Sequence, residues 1–274
     1  MDKLLRPVYA NAGVEAAYRK KLERLIDEMQ RSTVWWLRAV YRKNETRITQ
    51  DAMPGTGGGT TETPSETPSN WLAWALRRLQ AYWQRRWRKS AERIARDFVG
   101  SAQRHTLSAY GAAFKAAGMT VKMDPGRVMN DTVQALIAEN VSLIKSIPQQ
   151  YFDEVTGLVQ RSVSMGRDVA FLEEELARRY EITRNRAKTI ARDQNNKACE
   201  AIKRTENKQL GITEGIWVHV PGTKSSRKAH MQMNGKRFKL NEGLYDSTVK
   251  RKVLPGELVN CNCTYRSIIP IFGE

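Results

Sequence analysis

Histidine and cysteine are scarce in this chain, with three of each among 274 residues. So few histidines leave few general bases for acid–base chemistry. Cys261 and Cys263 stand too close together for a relaxed disulfide, which excludes a disulfide scaffold. No apolar run approaches the roughly 18 residues needed to span a bilayer. The opening MDKLLRPVYANAG also lacks the apolar core of a secretory signal, so the chain is expected in the cytoplasm. Also missing are a phosphate loop, a dinucleotide fingerprint and a nucleophile paired with its base. GTGGGT, at 55–60, has no lysine and follows no strand. The expectation is a protein that is not an enzyme and takes no small-molecule substrate.

What the chain has in excess is positive charge: 46 Lys and Arg against 29 Asp and Glu, a net +17. Its natural partners are therefore polyanions or acidic protein surfaces. Hydrophobic residues make up 41%, enough for a real core.

Periodicity predicts a mainly α protein. Leu22, Leu25, Ile26 and Met29 share one face of a long helix from Val14 to Thr49. The run 53–70, rich in Gly, Pro, Ser and Thr, reads as a linker or exposed loop. Asn70 can cap a second long helix, where Leu72, Leu76, Leu79, Trp83, Trp87, Ile94 and Phe98 recur at helical spacing. The two stripes suit a helical hairpin or coiled coil. After the turn Asp124-Pro125-Gly126, Asn130 or Asp131 can cap a further helix that Pro148 closes, and shorter amphipathic stretches follow. Residues 184–210 read as one helix, stopped by Gly211 and carrying Cys199 on its buried face. IWVHVPG and VNCNCTYRSIIPIF then read as strands of a small α+β module. The expected segments are 1–52, a long helix; 53–70, the linker; 71–123, a basic Trp-rich helix; 124–210, a helical body; and 211–274, the module. A fragment without residues 1–120 is expected to fold.

Two groups of residues carry candidate chemistry. Between Trp71 and Arg96 the basic residues Arg77, Arg78, Arg85, Arg86, Arg88, Lys89, Arg93 and Arg96 face a single acid, Glu92. Guanidinium groups pair with phosphates, so these residues, with Trp83 and Trp87 as stacking platforms, are candidates for non-specific duplex DNA binding. The competing readings are a solvated face with the tryptophans in a helix seam, or a helix lying on anionic lipid. His230, Cys261 and Cys263, with His219, form the one cluster of metal-ligand chemistry. Cysteines one apart on a strand point the same way, yet the spacing departs from ordinary zinc signatures, and packed reduced thiols with no cofactor are the expectation. Zinc on these four residues is the alternative.

In chain order, RAKTIARDQ at 186–194, LGITEGIWVHV at 210–220, SRKAHMQMNGKRF at 226–238 and PGELVNCNCTYRSIIPIF at 255–272 resemble the carboxy-terminal domain of the phage Mu F-like minor head proteins. The matching positions are Arg186, Ala187, Arg192, Asp193, Trp217, Arg227, His230, Gly235, Pro255, Gly256, Cys261 and Cys263. The chain departs from the pattern where Pro221, Gly222, Thr223 and Lys224 stand without a carboxylate, and where Asn262 replaces an arginine. The resemblance implies a structural head-morphogenesis protein of a tailed bacteriophage, lying inside the capsid and in the host cytoplasm during assembly. The implied partners are the portal protein, the major capsid or scaffolding protein, and double-stranded DNA. Two rival readings are a metal-dependent nuclease built around His230 and a delivered protein that engages the host membrane through the Trp-rich helix; a membrane partner is not the expectation.

Overall fold

The computed structural model describes residues 2–42, 68–123, 126–165, 169–221 and 226–270. Four long helices dominate: α1 (Ala12–Arg42), α2 (Pro68–Ala116), α3 (Arg127–Ser164) and α4 (Val169–Gln209). A strand, β1 (Lys3–Leu4), precedes them. After them come β2 (Glu214–Val218), the short α5 (Lys228–Met233), β3 (Arg237–Lys239), β4 (Leu244–Asp246), β5 (Arg251–Val253) and β6 (Thr264–Ile269). The architecture is mainly α with a small carboxy-terminal antiparallel module, as the periodicity predicts.

Local chemistry sets the helix ends. Asn11 Oδ1 accepts the Val14 N–H at 3.1 Å, satisfying an otherwise orphaned donor at the start of α1. α2 opens on Pro68, whose fixed φ and missing N–H suit a first position, so Asn70 lies inside the helix and does not cap it. The end of the first helix expected at 43–49 and most of the 53–70 linker lie outside the described residues. α3 begins at Arg127, which places Asn130 and Asp131 within its first turns. Pro148 sits inside α3 and does not end it. A proline there costs about 3 kcal/mol. Burial of Ile144, Ile147, Tyr151 and Phe152 around it outweighs that loss, and α3 takes in the separate stretch expected at 155–159. At the end of α4, Gly211 takes φ +69°, and the Ile212 N–H returns to the Asn207 carbonyl at 2.8 Å, closing the helix with a left-handed glycine.

The chain divides into two compact units that cut across the linear segments. One gathers Met1–Tyr18, Ala95–Asn140 and Thr189–Glu274; the other gathers Arg19–Ile94 and Val141–Lys188. The helical unit packs segments of all four long helices, with Leu22, Ile26, Met29, Leu76, Trp83, Trp87, Phe152 and Leu158 inside. Trp83 Nε1 donates to Ser32 Oγ at 3.3 Å and Arg86 pairs with Glu28, so α1 and α2 lie together there as a hairpin.

In the sheet-bearing unit the strand order is β1-β6-β2-β3, antiparallel throughout, with β4 and β5 a separate two-stranded ribbon. Trp217 faces Tyr265 across β2 and β6. The core beneath draws on the whole chain: Leu5 and Val8 from the amino terminus, Tyr110 and Phe114 from α2, and Trp217, Phe238 and Tyr265 from the sheet. This speaks against the expectation that a fragment without residues 1–120 folds, because that cut removes one edge strand and four of these core side chains.

Candidate metal centre

Four separate pieces of chain in the sheet-bearing unit deliver one buried polar cluster. His219 follows the end of β2, His230 lies on α5, Asp246 ends β4, and Cys261 and Cys263 occupy the extended stretch before β6. The sequence pattern puts both cysteines on the closing strand. That strand starts only at Thr264, so tertiary contacts, not the pleat of a sheet, bring the thiols together.

Each piece is held in place by hydrogen bonds. Asn234 Oδ1 accepts the His219 N–H at 2.9 Å, and the Gly235 N–H bonds the Trp217 carbonyl at 2.8 Å. Gly235 has φ +79°, a turn that suits a residue without a Cβ. The cysteine stretch is gripped from α4: Asp193 Oδ1 accepts the Asn260 N–H at 2.6 Å, Arg192 donates to Asn260 Oδ1 at 3.1 Å, and Asn196 donates to Asn262 Oδ1 at 2.6 Å. Arg227 donates to the Val259 carbonyl at 2.8 Å. Arg204 donates to the Pro255 carbonyl at 3.2 Å, and Gly256 passes so close to α4 that a Cβ there would lie 2.6 Å from Glu200 Cγ. Arg192, Asp193 and Arg227 of the motifs thus act as clamps on the loop that carries the thiols, and Pro255 and Gly256 are held against α4. Arg186, which donates to Ser146 at 2.8 Å, and the buried Ala187 belong to the helical unit.

Within the cluster, His230 Nδ1 lies 3.3 Å from Cys261 Sγ and 3.6 Å from Cys263 Sγ, while its Nε2 lies 3.0 Å from Asp246 Oδ2. His219 Nδ1 lies 3.4 Å from Cys263 Sγ. His230, Asp246, Cys261 and Cys263 are all buried, and the metal-binding atoms of His230, Cys261 and Cys263 lie within 4.8 Å of one another. Trp217 meets the His230 ring edge-on at 5.3 Å between centroids.

The electrostatics follow from these contacts. Burial opposes charge on His230, but Cys261 and Asp246 outweigh it and its pKa stands above the ordinary histidine value. Burial also works against the Asp246 carboxylate, yet the Thr248 N–H at 2.7 Å and His230 hold its pKa below the usual range. The hydrogen bond between the thiols splits them: Cys263 falls to about 7 against the opposing effect of burial, while Cys261 is raised. His219 is lowered, first by burial and then by the nearby His230. The arrangement offers two sulfur donors and one imidazole within mutual reach, with the His219 imidazole beside Cys263, a set suited to a soft or borderline cation.

Asp246 is the one member of the cluster that its sequence motifs do not mark. Its local signal is the Asp-Ser-Thr turn, in which Asp246 Oδ1 accepts the Thr248 N–H; its role as partner of His230 lies 16 residues back in the chain. Cys199 is buried as expected, and burial pushes its thiol up to about 11.

The candidate DNA-binding residues divide sharply. Arg77, Arg85, Arg86, Arg88, Lys89, Arg93 and Arg96 are exposed, and Arg78 is half-buried with its guanidinium 4.8 Å from the Trp74 ring centre. Trp83 and Trp87 are 3% and 0% exposed, so neither can stack on a base; the seam reading of these tryptophans replaces the stacking one.

The fold and the cluster describe a long-helix protein closed by a small antiparallel module with one buried histidine and two buried thiols beside it. Residues 153–266 match the family model described as Phage Mu protein F like protein, so the carboxy-terminal part of the chain carries the family likeness that its motifs suggest. The match begins within α3, upstream of the first motif. An uncharacterized protein of Haemophilus influenzae (strain ATCC 51907 / DSM 11121 / KW20 / Rd) is 30% identical over 179 residues, covering 63% of this chain. The chain spans 38% of that relative's length. No solved structure matches the chain.

Proposed function

We propose that this chain is a structural minor head protein of a tailed bacteriophage, acting without catalytic turnover in head morphogenesis, beside the portal and close to packaged DNA. The carrying observation is the match of residues 153–266 to the Mu F-like family. The net charge of +17 suits a compartment filled with polyanion. So do the exposed Arg77, Arg85, Arg88, Lys89 and Arg93 of the helical unit. With Trp83 and Trp87 in the core, contact with DNA runs through phosphates and is insensitive to sequence. The supporting functional class is assembly: the cluster around His230 has two thiols and a carboxylate already bonded to the imidazole, whereas metal nucleases hold hard cations through oxygen ligands. The membrane reading loses Trp83 and Trp87 to the core, and among the described residues no helix is long and apolar enough to cross a membrane.

Co-expression with the portal protein of the same phage tests the assignment. The two proteins are expected to co-purify at low salt, and duplex DNA affinity is expected to fall with a log–log salt slope of about −0.9 per phosphate contacted. Absence of both interactions overturns the reading.

A further inference from the structure

We infer that the sheet-bearing unit holds one structural Zn²⁺ ion, bound by His219, His230, Cys261 and Cys263, with Asp246 orienting His230 from the outer shell. This is independent of the role in head morphogenesis and concerns what holds the module together.

The distances carry the assignment. Bond lengths of about 2.3 Å to sulfur and about 2.0–2.1 Å to nitrogen, at tetrahedral angles, separate S and N ligands by about 3.5 Å. The three pairs that share Cys263 or His230 lie at 3.3, 3.6 and 3.4 Å. These match three edges of such a tetrahedron: the donor atoms of His230, Cys261 and Cys263 already lie within 4.8 Å of one another, and His219, which meets the set through Cys263, completes it by moving inward as the ion binds. Both thiols border the apolar core, yet each also meets the same imidazole nitrogen, a contact that apolar packing alone does not require.

The orientation of His230 supplies an independent reason. Its Nδ1 turns to the sulfurs, while Nε2 meets a carboxylate of 0% exposure at 3.0 Å. A metal-bound histidine donates its other N–H to such an acceptor, which fixes the tautomer and strengthens the ligand. Sulfur and imidazole donors select zinc over calcium or magnesium, which take oxygen. Four protein ligands leave no open position for water, so the ion is structural. The two thiol protons pass to solvent on binding, and two thiolates then neutralise the ion within the buried site.

The placement explains why a metal is useful here. β3, β4 and β5 are three residues each, too short to bury much apolar surface. The ligands come from the end of β2, from α5 and from the stretch before β6, so one ion ties together three pieces far apart in sequence.

The full chain, purified and desalted, is expected to contain one zinc per molecule by elemental analysis. Removing it with a strong chelator is expected to lower the melting temperature, and Co²⁺ added to the apoprotein should give thiolate-to-cobalt charge-transfer bands with intense tetrahedral visible bands. In His219→Ala the tetrahedral cobalt spectrum should be lost. In Asp246→Asn the spectrum should persist with affinity weakened about 10- to 100-fold. A folded full chain that contains no zinc and takes up no Co²⁺ overturns the site, and this holds even if the variants fail to fold. An unchanged melting temperature without metal overturns its structural role. An unchanged cobalt spectrum in His219→Ala overturns the fourth ligand, and unchanged affinity in Asp246→Asn overturns the outer-shell role.

Discussion

Lys203 Nζ and Glu200 Oε1 lie 2.7 Å apart in the core of the sheet-bearing unit, with side chains only 1% and 4% exposed. The ammonium also donates to the Val8 carbonyl at 3.1 Å and to Thr264 Oγ1 at 2.5 Å, and it lies 4.5 Å from the centre of the Tyr265 ring. One charge on α4 therefore joins the amino-terminal segment to the start of β6. All three of its donor positions are directed, which is what a buried ammonium needs to offset its lost hydration.

Lys203→Met is expected to destabilise the protein by about 3–5 kcal/mol, because it strands the Glu200 carboxylate without its cation. Adding Glu200→Gln should recover part of the loss. Denaturant unfolding of the two variants checks this; equal stability of Lys203→Met and the parent protein would show that the pair contributes nothing. The same substitution should speed proteolysis near Val8, whose carbonyl loses its donor.

Two glycines with the same sign of φ should respond differently to alanine. Gly211, at φ +69°, has no neighbouring atom within 4 Å of where a methyl would stand, so Gly211→Ala should cost about 1 kcal/mol, the strain of the left-handed backbone alone. Gly243, at φ +80°, would place its Cβ 2.1 Å from the Val253 carbonyl oxygen, a backbone atom that cannot rotate away. Gly243→Ala should cost clearly more than Gly211→Ala and loosen the ribbon that carries Asp246. Thermal melts of both variants, compared at one pH, test the ordering.

Trp87→Ala should cost about 3–5 kcal/mol, because it empties a fully buried aromatic site. The salt slope of DNA binding by the protein that remains folded should not change. Replacing the exposed Arg85, Arg88, Lys89 and Arg93 by glutamine should do the reverse, lowering the slope while leaving the melting temperature within a degree or two. A tryptophan variant that stays fully folded and loses DNA affinity would restore base stacking as the mode of contact.

A fragment of residues 121–274 should lack a cooperative melt and a dispersed amide spectrum. It loses Leu5, Val8, Tyr110 and Phe114 from the core, and it loses β1, which covers one edge of β6. The exposed edge invites aggregation. Tyr110 matters twice over, since its hydroxyl bonds both Asn207 and, at 2.6 Å, Ser267. A soluble, cooperatively folded fragment would show that the amino-terminal contacts are dispensable.

Local pattern is enough to reveal the first two long helices, the glycine that ends α4, the strand around Trp217 and the ordered motifs of the carboxy-terminal third, but it breaks α3 and α4 into shorter pieces. Each is written in neighbouring residues: a 3.6-residue stripe, a glycine able to take positive φ, a two-residue alternation. Arg192, Asp193 and Arg227 are legible as motif positions, but their shared task of gripping the loop at 259–260 is not. Pro148 reads as a stop because the local penalty is visible in the sequence and the burial around it is not. Lys3–Leu4 show no strand signal of their own, and only Ile268 and Ile269 at the far end of the chain make them one. The basic residues of α2 are legible as charge, while the burial of Trp83 and Trp87 is settled by the helices packed against them. Asp246 could be paired with His230 only by folding, since hydrogen bonds and burial act through space and the composition of the chain says nothing about which distant residues will meet.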